Sequence, residues 1–245
     1  MTPPDPRGPL APAERIICAL DLPALAEALR LVEALGSSVR WFKIGMELFT
    51  REGPRAVEEI RRRGAGVFLD LKYHDIPATA ERAVASAGAL GVSLLTVHAL
   101  GGAAMLEACA RGRDGCLAPP AVLAVTVLTS LDQAALAAVG VTRTLEDQVL
   151  ASAELARRAG LDGVVASPRE VAALRGRLGK EALIVTPGVR LGGGSQDDHA
   201  RAETPQRAIA DGADLLVVGR PIRDAADPAA AARAFAEAAA QGLRA

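Results

Sequence analysis

Eight short apolar runs, each followed by a longer segment of helical character, constrain this chain more than any other feature. They fall at residues 15–20, 41–44, 67–71, 94–97, 121–127, 163–166, 183–186 and 215–218. Each run is almost continuously hydrophobic, as expected of strands covered on both faces. The segments between them, at 24–35, 54–63, 77–90, 103–110, 145–159, 168–178, 205–210 and 228–241, are rich in Ala, Leu, Arg and Glu. Several open with proline, whose missing N–H costs nothing in a first helical turn. Several close on glycine, at Gly36, Gly64, Gly91, Gly160, Gly179 and Gly212, the residue suited to a helix end. Strand then helix, eight times over and without a long low-complexity linker, predicts an α/β protein with a single (β/α)8 TIM barrel. The rival is a doubly wound open sheet. Its dinucleotide-binding version is weakened because the first strand-to-helix turn, Asp21-Leu22-Pro23, has no GxGxxG.

The proline-rich stretch 1–12 lacks the apolar core of a signal peptide and reads as a disordered tail, leaving 13–245 as the barrel domain. Charge excludes several function classes. With 28 Lys+Arg against 29 Asp+Glu, the chain has no general attraction for nucleic acid or an anionic membrane. Aromatic residues make up 2% of the chain, too few to supply stacking platforms for single-stranded nucleic acid. No apolar stretch is long enough to span a bilayer. Three scattered cysteines, Cys18, Cys109 and Cys116, form neither a disulfide framework nor a CxxC site, which fits a reducing cytoplasm.

In a barrel of this kind, functional side chains lie at the C-terminal ends of the strands. Because the runs are apolar, the polar residues at their ends stand out. They are Asp21, Lys43, the segment Asp70-Leu71-Lys72-Tyr73-His74-Asp75, His98, Thr129-Ser130, Pro187-Gly188-Val189-Arg190 and Gly219-Arg220. Asp70 and Lys72, two residues apart, share a face of a regular strand. Alternating acid and base is what a buried charged cluster requires. One such pair is equally well a salt bridge tying the barrel together. With Asp21 and Lys43 on adjacent strand ends, however, there are more charges than fold stability needs. Arg190 and Arg220 follow the seventh and eighth runs, where barrels commonly bind phosphate, and Gly219 permits close backbone approach. Gly192-Gly193-Gly194 reads as a lid. His98 reads as a satisfied core histidine, and His74 is a weaker candidate for a direct role. The His, Asp and Cys residues do not combine into a zinc site.

The segment Phe68-Leu69-Asp70-Leu71-Lys72-Tyr73-His74-Asp75-Ile76-Pro77 resembles the catalytic segment of the orotidine 5′-phosphate decarboxylase family, bacterial branch. Further matches are Ala19-Leu20-Asp21, Phe42-Lys43-Ile44-Gly45, Val125-Thr126-Val127-Leu128-Thr129-Ser130, Thr186-Pro187-Gly188-Val189-Arg190 and Val218-Gly219-Arg220-Pro221. The resemblance implies loss of CO2 from orotidine 5′-monophosphate to give UMP, the last step of de novo pyrimidine synthesis, with no metal and no organic cofactor. It implies that Lys43, Asp70, Lys72 and Asp75 form a charged tetrad, with Lys72 as proton donor to C6. Asp75 and Thr79 would be supplied by the partner subunit of a homodimer. Asp21 and Lys43 would bind the ribose, and Thr129 and Ser130 would meet the pyrimidine edge. Pro187 would belong to the substrate site, and Arg190, Gly219 and Arg220 would hold the phosphate side.

A rival of the same barrel group is similar to 3-keto-L-gulonate-6-phosphate decarboxylase. It shares DxKxxD but uses Mg²⁺ and carries an acid where this chain has Lys43. A catalytically dead phosphate-binding barrel is the other alternative, and the intact Asp70, Lys72 and Asp75 argue against it. One departure from the family concerns the loop after the seventh run, which usually offers a glutamine bridging phosphate and pyrimidine. Ungapped spacing puts His199 there, and a shifted loop would instead supply Gln196.

Overall fold

The computed structural model describes residues 5–192 and 203–244. Its strands are β1 (Ile16–Ala19), β2 (Trp41–Ile44), β3 (Gly66–Tyr73), β4 (Leu94–His98), β5 (Ala121–Val125), β6 (Gly163–Val165), β7 (Leu183–Pro187) and β8 (Leu215–Val218). They form a closed barrel in sequence order, every neighbouring pair parallel, with β8 returning to β1. The (β/α)8 expectation is met.

Two buried layers account for the unbroken hydrophobicity of the strands. Ile17, Trp41, Phe68, Leu94, Leu123, Val185 and Val217 fill the barrel interior. Their sequence neighbours Ile16, Cys18, Phe42, Val67, Leu69, Leu95 and Val122 pack outward beneath the helices. Side chains alternate between these layers along each strand. The inward set therefore continues upward from Ala19 to Asp21, from Trp41 to Lys43 and from Phe68 to Asp70. The alternation that packs the barrel also delivers charge to its C-terminal mouth.

The sequence reading missed three short helices, Met46–Glu52, Gln133–Ala138 and Arg220–Arg223. Each is two turns or less, too short for a hydrophobic period to register. Gly53, at φ +60°, ends the first of them and Pro54 starts the next helix, Pro54–Arg62. Residues 168–178 resolve into a 3-10 turn, Pro168–Glu170, and a helix, Val171–Leu178.

The reading of 1–12 as a disordered tail is corrected for the described part, residues 5–12. Pro6 is buried, and Leu10 joins the barrel-interior cluster. Arg7 donates to the Pro119 carbonyl at 2.8 Å and pairs with Asp162 at 3.5 Å. Pro12–Arg15 forms a 3-10 turn leading into β1. Proline richness suggested disorder, but one well-placed apolar side chain is enough to seat this segment on the N-terminal end of the barrel. Leu10→Ala should therefore destabilise the protein by about 2 kcal/mol or more, the low end for buried leucines, as read by urea unfolding. A change within about 0.5 kcal/mol, typical of surface sites, would show that the segment is not part of the core.

Candidate active site

A cavity of about 350 Å³ opens at the C-terminal ends of the strands. Among the described residues, Ala19, Asp21, Lys43, Phe68, Asp70 and Lys72 line it from β1–β3. Val125, Val127, Leu128, Thr129 and Val165 line it from the β5 and β6 ends. Pro187, Gly188, Arg190, Gly219, Arg220 and Arg223 line it from the β7 and β8 ends. Around the closed mouth the lining is thus acid–base from β1–β3, largely aliphatic from β5 and β6, and cationic from β7 and β8, whose end adjoins β1 again.

The charges form an alternating chain. Lys43 Nζ lies 2.9 Å from Asp21 Oδ1 and 3.7 Å from Asp70 Oδ2, and Lys72 Nζ lies 2.9 Å from Asp70 Oδ1. The side chains of Lys43 and Asp70 are only 11% and 13% exposed. Burial is the largest single influence on Asp70 and by itself raises its pKa. The fields of Lys43 and Lys72, with hydrogen bonds from Lys72 and Thr96, together outweigh it, and the carboxyl titrates below its ordinary 3.8. Gly45 leaves room for this arrangement, because a Cβ there would come 2.9 Å from Asp21 Oδ1 and 3.2 Å from Lys43 Nζ.

Strand alternation does not by itself explain how Lys72 meets Asp70. Between Leu69, paired with Leu95, and Tyr73, paired with Val97, β3 carries three residues where β4 carries only Thr96. Lys72 occupies the left-handed region at φ +52°, the one described non-glycine residue to do so. Such a conformation costs on the order of 1–3 kcal/mol and clusters at functional sites. Thr96, fully buried, accepts a hydrogen bond from Lys72 N at 2.9 Å and donates one to Asp70 Oδ1 at 2.9 Å. Sequence reasoning passed over Thr96, although it lies two residues beyond the inward-facing Leu94. Arg223 was also missed. It lines the cavity and donates to the Asp21 carbonyl at 2.7 Å.

The other candidate residues are distributed unevenly. Thr129, Pro187, Arg190, Gly219 and Arg220 reach the cavity, whereas Ser130 is exposed and outside its lining. Asp75 and Thr79 do not line the cavity of their own chain. Asp75 is exposed and accepts from Ile76 N at 2.6 Å. His199, Gln196, Gly193 and Gly194 lie outside the described residues. His98, expected in the core, is half-buried at the end of β4. Its Nδ1 accepts from Leu100 N at 3.3 Å and its ring stacks on His74 at 5.3 Å. Burial, then the fields of His74 and Lys72, lower its pKa.

Fold and cavity together define a (β/α)8-barrel protein with a charged pocket at the catalytic face of its architecture. A family model described as "Orotidine 5'-phosphate decarboxylase / HUMPS family" matches residues 14–235, and the chain belongs to that family. A protein named orotidine 5'-phosphate decarboxylase from Anaeromyxobacter sp. (strain K) is 54% identical over 229 residues, covering 93% of this chain and 99% of the relative. One of the same name from Moorella thermoacetica is 52% identical, covering 91% of each chain. A crystal structure of orotidine 5'-phosphate decarboxylase from Lactobacillus acidophilus superposes with a TM-score of 0.83 at 36% identity, covering 92% of this chain and 99% of that one.

The depressed pKa of Asp70 sets a pH dependence. Its ion pairs contribute to stability fully above the unfolded-state value and are lost as the pH falls through the lower folded-state value. Titration of ¹³C-labelled aspartate carboxyls should place Asp70 below 3.8, the ordinary value, and Lys72→Ala should move it upward. A wild-type midpoint above the ordinary value would contradict the ionised-cluster reading.

Proposed function

We propose that this protein converts orotidine 5′-monophosphate to UMP and CO2, with Lys72 as the acid. The observation that carries this reading is the Lys72 ammonium at 2.9 Å from the largely buried Asp70 carboxylate, both lining a cavity that Arg190 and Arg220 also line. In the reaction the C6–carboxylate bond breaks and its electron pair stays on C6. The Lys72 ammonium stabilises that charge and then delivers its proton to C6; solvent reprotonates the amine. Asp21 and Lys43 bind the ribose hydroxyls. Thr129 and Ser130 serve the pyrimidine edge, with Ser130 reaching it only on closure. Pro187 flanks the ring, and Arg190, Gly219 and Arg220 take the phosphate. His199, or failing it Gln196, bridges phosphate and ring.

The reaction needs no electron sink beyond these groups. The Lys43 ammonium already lies between Asp21 and Asp70, so a divalent cation held by these two carboxylates would have to displace it. That disfavours the Mg²⁺-dependent sugar-phosphate chemistry of the rival. The enzyme works in the cytoplasm, consistent with three free cysteines, two of them buried. No described helix is long and apolar enough to cross a membrane.

The active unit is a homodimer in which Asp75 and Thr79 serve the neighbouring site. Asp75 stands clear of its own cavity, and the segments that follow β2, β3 and β4 each expose a large apolar side chain, Met46, Ile76 and Leu100. Three such residues around one rim suit burial against a second copy.

Lys72→Ala should lower turnover of orotidine 5′-monophosphate, followed by absorbance, by more than about 10⁴-fold, since general-acid and electrostatic contributions go together. UMP binding should remain measurable. Turnover within about tenfold of wild type would remove Lys72 from the chemistry. Mixing Lys72→Ala with Asp75→Ala protein should recover about one quarter of wild-type activity after subunit exchange, because half the dimers then hold one intact site. Demonstrated exchange without recovery would rule out shared sites.

A further inference from the structure

We propose that Thr96 is a positioning residue for this reaction, its single hydroxyl setting both the aim of Lys72 and the orientation of Asp70. The inference rests on the decarboxylase reading above.

Three residues, Asp70, Leu71 and Lys72, lie opposite Thr96 alone. The regular ladder cannot serve both backbones there, and a buried N–H left without an acceptor is costly. The Thr96 side chain takes the place of the missing carbonyl, accepting from Lys72 N at 2.9 Å. That bond holds Lys72 at φ +52°, a backbone state its own side chain disfavours. A hydroxyl has one proton to donate as well as lone pairs to accept. Thr96 spends that proton on Asp70 Oδ1, at 2.9 Å. The same oxygen receives the Lys72 ammonium at 2.9 Å. Lys72 is therefore held at both ends through one side chain, at its backbone directly and at its ammonium through Asp70.

Thr96 is fully buried and does not line the cavity, so it acts through these two residues and not on the substrate. Replacing its hydroxyl by a methyl leaves shape and volume almost unchanged while removing one donor and one acceptor. The bulge then has no anchor and the ammonium loses its fixed direction. Asp70 keeps its lysine partners, Lys43 from β2 and Lys72 from β3. Asp21, just past the end of β1, lies beyond Lys43, and His98 of β4 stands near Lys72.

The test compares Thr96→Val and Thr96→Ser with wild type, as purified full-length protein. Thr96→Val should lower kcat by about 10–100-fold, the loss expected when a reacting group is displaced by an ångström or less, with KM and the UMP dissociation constant moving less than about threefold. Thr96→Ser, which keeps the hydroxyl, should stay within about threefold of wild type. Loss of a donor to the carboxylate should also move the acid limb of kcat, and the ¹³C titration midpoint of Asp70, to higher pH in Thr96→Val. If the valine variant does not fold, Thr96→Ala against Thr96→Ser gives the same comparison, again differing by the hydroxyl alone.

A valine variant with kcat within about twofold of wild type would overturn the proposal. So would a serine variant no better than the valine or alanine one. Wild-type protein that fails to decarboxylate orotidine 5′-monophosphate would sink the functional reading instead. The Asp70 titration, which needs no turnover, would then decide the role of Thr96: an upward shift without the hydroxyl supports it, and an unmoved midpoint overturns it.

Discussion

Everything at the mouth of this barrel depends on keeping Asp70 ionised where water scarcely reaches. A buried carboxylate tends to take up a proton unless cations and donors hold its charge. Here Lys43 and Lys72 flank it and Thr96 donates to it. A unit charge pair about 4 Å apart is worth roughly 4 kcal/mol at an effective dielectric near 20, enough for two such partners to offset a desolvation penalty of several kcal/mol. The same balance explains features that otherwise look unrelated. Gly45 lacks a side chain where one would crowd Lys43, β3 bulges so that Lys72 can fold back on Asp70, and Lys72 sits in a backbone state usually left to glycine.

Magnitudes decide which effect drives the proposed reaction. Enzymatic accelerations of 10⁶–10¹⁷ correspond to about 8–23 kcal/mol of transition-state stabilisation. Repulsion between Asp70 and a substrate carboxylate, at about 4 kcal/mol, accounts for roughly three powers of ten. Stabilisation of the developing carbanion by a fixed ammonium must carry most of the remainder, because it grows as the bond breaks. In the proposed reaction, phosphate binding at the cationic β7–β8 end is the remote binding energy that would hold the substrate against that repulsion.

The barrel was legible because both strand faces are buried, so each strand reads as an apolar run and each polar strand end stands out against it. Asp21, Lys43, Asp70 and Lys72 were found for that reason. Thr96 escaped notice because threonine inside an apolar run is unremarkable by composition; only its position two residues beyond Leu94 marks it. The bulge at Lys72 could not be read, since it depends on the pairing of β3 with β4 and leaves no mark on hydrophobic pattern. The segment 5–12 misled in the opposite direction: proline suggested disorder, while Leu10 and Arg7 anchor it through contacts far away in sequence. Asp75 illustrates a third limit, because it is exposed and lies outside the cavity of its own chain, so only the family resemblance of its segment marked it.

The proposed role of Lys72, stabilising and protonating charge on C6, has a direct test through microscopic reversibility. An ammonium that delivers a proton to C6 leaves an amine able to remove the C6 proton of the product. In D2O, wild-type enzyme should exchange the C6 hydrogen of UMP for deuterium, followed by ¹H NMR, at a rate proportional to enzyme concentration, and Lys72→Ala should not exceed the background rate. Equal exchange by the two proteins, with UMP bound to both, would contradict the account.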